Sequence, residues 1–173
     1  MKHTTINQGL RLLAAALIAV AALAGSSFAQ ATVNLCATTG SITMPDGASI
    51  PIWGFVDTGG AACAPGLANS LPGPVLRPAP GSATLTVNLT NALSEPVSFY
   101  VPGLRPTATT GTAGRFTAMA PPGGTASYTF TLRPGTFLYQ SATDRIRTHV
   151  PMGLYGALVV DPAAGTAYAG VGY

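Results

Sequence analysis

Ala83-Thr84-Leu85-Thr86-Val87-Asn88-Leu89-Thr90 decides the fold class. Leu85, Val87 and Leu89 alternate strictly with Thr, Asn and Thr, the period of a strand with one face in a core and the other in water. Asn88-Leu89-Thr90 also matches a glycosylation sequon, read here as a solvent-facing polar pair on that strand. Outward from this segment the same signature recurs. Residues 125–132 alternate again, with Ala126, Tyr128, Phe130 and Leu132 on one face. Residues 33–44 and 50–56 read as strands joined by the turn Pro45-Asp46-Gly47, where Gly accepts the positive φ that turns demand. Arg133-Pro134-Gly135 turns the chain into a strand at 136–141, and 154–160 is a last buried strand. Residues 97–101 form a short apolar run. Residues 57–71 and 107–114 are rich in small and polar residues and read as loops. No helix longer than a turn or two is expected. Short strands separated by turn signals every ~8–12 residues predict an all-β sandwich or barrel.

The two ends differ from this body. Lys2 and Arg11 precede an almost unbroken apolar run at 12–23, followed by small residues and the small-x-small triplets Ser27-Phe28-Ala29 and Ala29-Gln30-Ala31. That order is the pattern of a cleaved signal peptide. The run falls short of the roughly 20 apolar residues a membrane span needs. The expected organisation is a signal peptide at 1–31, one domain at 32–162 and a loose Gly/Ala-rich tail at 163–173. The expected location is secreted or periplasmic, with no membrane span after cleavage. In an exported chain the even pair Cys36 and Cys63 is most simply a disulfide. The competing reading, a copper thiolate, needs a free Cys beside two His, which this sequence does not offer.

Without Lys2 and Arg11 the formal charge falls from +3 to +1, so the basic character belongs mostly to the leader. The remaining basic residues are scattered arginines without a stripe, which argues against nucleic acid as a partner. Charged residues make up only 8% of the chain. Average domains carry roughly a quarter, so this surface is weakly protected against association. No phosphate-cradling glycine loop, nucleophile elbow or HExxH zinc motif is present.

Four further segments carry a family resemblance. Leu71-Pro72-Gly73-Pro74-Val75-Leu76-Arg77 resembles a "PGPxxR" segment. Residues 83–91 followed by Leu93-Ser94-Glu95-Pro96 resemble a strand and its "N-x-L-x-E-P" turn. Pro134-Gly135-Thr136-Phe137-Leu138-Tyr139 resembles "PGTxxY", and Val150-Pro151-Met152-Gly153-Leu154-Tyr155-Gly156-Ala157-Leu158-Val159-Val160 a closing "PMGLYGALIV" strand. In this order they resemble the N-terminal, plastocyanin-like domain of multicopper oxidases. The resemblance implies a cupredoxin-like Greek-key β-sandwich. It also implies two His-x-His motifs, whose imidazoles bind the type 2 and type 3 coppers of a trinuclear site lying between domains. Neutral imidazoles suit copper in both oxidation states. Here Tyr100 and Pro102 stand at the first pair of positions and Gln140 and Ala142 at the second, so all four ligands are replaced. His149 falls where the family has a non-ligand residue.

No catalytic residue, metal ligand or cofactor is therefore expected, although the family binds copper. The expected role is a module acting in structure or protein–protein interaction, with another exported protein or a second copy as partner. The alternative is an accessory subunit or domain of a copper-binding oxidase whose partner chain supplies ligands. Tyr100, Gln140 and Tyr139 are expected to fill the former copper cleft, or else to hold a small ligand. Arg145, Arg147 and His149, spaced by two, would share one face of a strand and form a candidate docking patch. Asp144 lies near His149 in sequence, which raises a mononuclear surface metal site as a third reading, although a lone His in a loop is more often simply exposed. A hydrolase reading lacks a nucleophile beside His149.

Overall fold

The structure, a computed structural model, describes residues 30–68 and 70–163. The expected signal segment lies outside these apart from Gln30 and Ala31, and so does the expected tail apart from Ala163. Among the described residues nine strands and one short helix follow in order. They are β1 (Gln30–Thr43), β2 (Ser49–Asp57), β3 (Thr84–Asn91), β4 (Val97–Ser98), β5 (Pro106–Thr110), β6 (Met119–Ala120), β7 (Thr125–Thr131), β8 (Gly135–Gln140), α1 (Ile146–Met152) and β9 (Tyr155–Val160).

Five strands form one sheet in the order β2-β1-β3-β7-β5. The long β1 serves two neighbours. Its first half runs parallel to β3, with Leu35 opposite Leu89, and its second half runs antiparallel to β2. The alternation in β3 and β7 puts Leu85, Val87, Leu89, Ala126, Tyr128 and Phe130 into the core. Asn88, on the outer face of β3, hydrogen-bonds the side chains of Asn34 and Ser127. The opposing layer is built from the pairs β8–β9 and β4–β6. Single bridges extend it, Leu76 beside Leu158 and Tyr100 beside Gln140. The two layers make the all-β cupredoxin sandwich that the sequence predicts. Phe99 sits at its centre, with the rings of Phe55, Tyr128, Phe130 and Tyr139 at centroid distances of 5.0–6.2 Å.

The resembling motifs have structural reasons. In Asn91-Ala92-Leu93-Ser94-Glu95, the buried Asn91 amide donates to the carbonyls of Glu95 and Ala120, and its oxygen accepts the Leu93 N–H. One side chain thus satisfies two backbone groups of a tight turn and ties that turn to the Ala120 carbonyl of β6. Gly156 faces the Tyr139 ring so closely that a Cβ would overlap it. The Tyr139 hydroxyl in turn donates to the Pro74 carbonyl at 2.7 Å, tying the "PGPxxR" segment to β8.

Two expectations are corrected. Residues 106–110, most of which the sequence reading assigns to a loop, form β5 against β7. Residues 107–110 are all exposed, so no buried face marks the strand, and backbone pairing alone makes it. Residues 146–152 are helical rather than extended. Gly153 ends α1 in the left-handed region at φ 119°, and Leu154 N–H closes the turn on the His149 carbonyl at 3.0 Å. That closure is the glycine-capped helix end.

Candidate functional site

Tyr100 and Gln140 lie directly opposite one another. Each backbone N–H donates to the other's carbonyl at 2.9 Å. Both side chains are half-buried, and Tyr100 packs beside Phe116 with ring centroids 6.2 Å apart. Pro102 is exposed one turn beyond, and Ala142 is buried. The Ala142 N–H donates to Ser98 Oγ at 2.8 Å, while the Ser98 N–H donates to Ser141 Oγ at 3.3 Å. The segment after β8 is thereby stitched to β4 through two serines.

Ser141 begins a buried polar line that sequence reading missed. Its hydroxyl lies 2.9 Å from His149 Nδ1, with the Thr143 hydroxyl at 3.3 Å from the same nitrogen. His149 Nε2 lies 3.3 Å from Glu95 Oε2, and Glu95 Oε1 pairs with Arg145 at 3.1 Å. A carboxylate only accepts, so Nε2–H donates to Glu95 and Nδ1 accepts from Ser141. The ring of Trp53 packs edge-on to the imidazole at 5.7 Å. Burial pushes the His149 pKa below the usual value. The Glu95 hydrogen bond and charge pull it back in part, and Arg145 lowers it again.

A serine, a histidine and a carboxylate in line have the composition of a hydrolytic triad. Here Ser141 and His149 are both fully buried, and the serine oxygen already accepts the Ser98 N–H. No acyl group can reach that oxygen. The line joins β4, the segment after β8, α1 and the turn after β3. Nothing in local spacing could have found it, because Glu95 stands 54 residues from His149.

The candidate docking patch of Arg145, Arg147 and His149 does not form a common face. On a helix, residues four apart align, so Arg145 and His149 share Glu95 while Arg147 is exposed elsewhere. His149 has no exposed surface to offer a partner. Asp144 is not its carboxylate either: it is exposed and lies 3.9 Å from Arg115. The Cys36–Cys63 disulfide is formed, stapling the loop after β2 onto β1.

A model of the multicopper oxidases matches residues 56–165. The chain belongs to the multicopper oxidase family. It is 37% identical over 105 residues to L-ascorbate oxidase of Cucurbita pepo var. melopepo, a match covering 58% of this chain and 18% of that protein. Among solved structures it is similar to the copper nitrite reductase of Nitrosomonas europaea, with a TM-score of 0.61 at 26% identity over 80% of this chain and 44% of that one. A multi-copper oxidase of Pseudomonas thermotolerans shares the fold, with a TM-score of 0.60 at 24% identity over 82% of this chain and 32% of that one. The chain thus spans less than half the length of these relatives.

Copper is the metal the family implies, and the residues at the expected ligand positions do not fit it. Pro102 and Ala142 carry no side-chain donor, and Gln140 offers a neutral oxygen. Tyr100 would have to lose its phenolic proton. The one imidazole nearby, His149, has both ring nitrogens engaged inside the protein. Among the described residues no group of three or more His, Cys, Asp or Glu converges as a metal site requires. None of the described helices is long and apolar enough to cross a membrane.

Proposed function

We propose that this member of the multicopper oxidase family is an exported, non-catalytic module that works in structure or protein–protein interaction. The carrying observation is the state of the four ligand positions. Tyr100 and Gln140 are locked together through their backbones, Pro102 and Ala142 have no donor, and the nearby histidine is tied into Ser141 and Glu95. The scaffold keeps the geometry of the family's domain while its donors serve internal hydrogen bonds.

Export is supported by the leader-like N-terminus and by the Cys36–Cys63 disulfide, which suits an oxidising compartment. An interaction role is supported by the outer face of the β8–β9 layer. Leu138 is 65% exposed and Val75 61% exposed, and Ala157 is paired with Leu138 between them. No charged side chain stands on β8 or β9 to keep another protein away. The partner would be another exported protein or a second copy of the chain.

Elemental analysis of the purified protein after copper loading, read with a visible spectrum, tests the non-catalytic reading. The expected result is no stoichiometric copper and no blue or type 3 absorption band. Stoichiometric copper would overturn it. Sedimentation analysis, alone and with co-purifying exported proteins, tests the interaction reading, with Leu138→Glu expected to abolish any complex.

A further inference from the structure

A cleft of about 520 Å³ opens beside Tyr100, between the end strand β5 and residues 116–118. Small-molecule sites span roughly 300–1,000 Å³. Its walls combine three chemistries. Tyr100 and Phe116 meet at 45°, forming an aromatic corner open to solvent on the Phe116 side. Leu104 adds a buried apolar contact. Arg105 is exposed on the rim and has no ion pair or hydrogen bond with any described residue. Arg115, by contrast, is already spent on the Phe116 ring and Asp144. Thr117 lines the same cleft through its other atoms, since its hydroxyl oxygen is sealed from solvent. No carboxylate lines the cleft to oppose an anion.

We propose that this cleft binds a small planar aromatic molecule bearing one oxyanion, an aryl carboxylate or aryl phosphate. Its ring lies in the corner of Tyr100 and Phe116, where offset and edge contacts between rings are favourable. Its oxyanion meets the Arg105 guanidinium, whose planar fork matches both carboxylate and phosphate. A neutral or cationic aromatic molecule would leave Arg105 without its partner. Tyr100 stands at a position where the resemblance places a copper ligand, so the replacement that removes a metal donor also builds the wall of this cleft. The proposal is independent of the non-catalytic reading: stoichiometric copper would overturn that reading and leave this one standing.

Ligand-observed NMR titration of the full chain with benzoate, phenyl phosphate and neutral benzamide tests it. Saturable binding of benzoate or phenyl phosphate is expected, with benzamide at least tenfold weaker. Arg105→Gln should weaken the anions at least tenfold and leave benzamide unchanged, and Phe116→Ala should weaken every probe. Both side chains are exposed, so an unchanged melting temperature will show that the variants fold. Absence of saturable binding by either anion, or anion binding that Arg105→Gln leaves intact, overturns the proposal.

Discussion

Tyr100 and Gln140 form a mutual backbone pair, each N–H donating to the other's carbonyl at 2.9 Å. These are the first positions of the two His-x-His motifs in the family pattern. The backbone still holds them face to face, because the pairing uses no side-chain atom.

Tyr100→His combined with Gln140→His should therefore create a cross-strand chelate. Opposed residues of a hydrogen-bonded antiparallel pair have Cα atoms about 5.5 Å apart, within reach of one metal ion for two imidazoles. The double variant is expected to bind Cu(II) at least tenfold more tightly than either single variant in a competitive chelator titration. Equal affinities in all three would show that the two side chains do not converge.

The His149 line predicts a pH dependence. Burial lowers the folded-state pKa of His149, while the unfolded imidazole titrates near 6.5. As pH falls, the unfolded chain takes up the proton first. Stability is thus full above about pH 6.5, declines below it, and levels off once the folded imidazole protonates at its lower pKa. Urea midpoints between about pH 7.5 and about pH 5 read this directly. His149→Gln should flatten that dependence and cost about 2 kcal/mol, since Ser141 and Glu95 lose a buried partner.

The Cys36–Cys63 bridge closes a loop across a separation of 27 residues. In the chain-entropy model its loss costs about 3.5 kcal/mol. Cys36→Ala with Cys63→Ala should show this as a lower denaturant midpoint, with the native β circular-dichroism spectrum retained in dilute buffer.

Gly156→Ala should cost about 3 kcal/mol, the upper end for overpacking a core. The new Cβ would overlap the Tyr139 ring, which cannot retreat while its hydroxyl holds the Pro74 carbonyl. Pairing it with Tyr139→Leu should cost less than the two single changes added together, the sign of residues in direct contact. Thermal melts of the four proteins complete the cycle.

The legible part of the fold consists of strands with one wet face. β3 and β7 alternate in burial residue by residue, so their sequences alternate too, while β9 alternates in burial but is apolar or small throughout. β5 has no buried side chain, and its sequence carries no such mark. α1 escaped because it is short and holds Pro151, a residue that argues against a helix interior. With α1 read as extended, Arg145, Arg147 and His149 fell on one imagined face. The helical turn instead buries His149 and leaves Arg147 outside.

The sequence by itself determined the sandwich, the family and the replacement of all four ligand residues, because each rests on residue identity or on period within one segment. Tertiary structure alone decided that Tyr100 pairs with Gln140, that Glu95 rather than Asp144 meets His149, and that Tyr100, Arg105, Phe116 and Thr117 share a cleft. The physical reason is the sandwich topology. Strands adjacent in space come from distant parts of the chain, so a side chain's partners are set by register and burial rather than by spacing along the sequence.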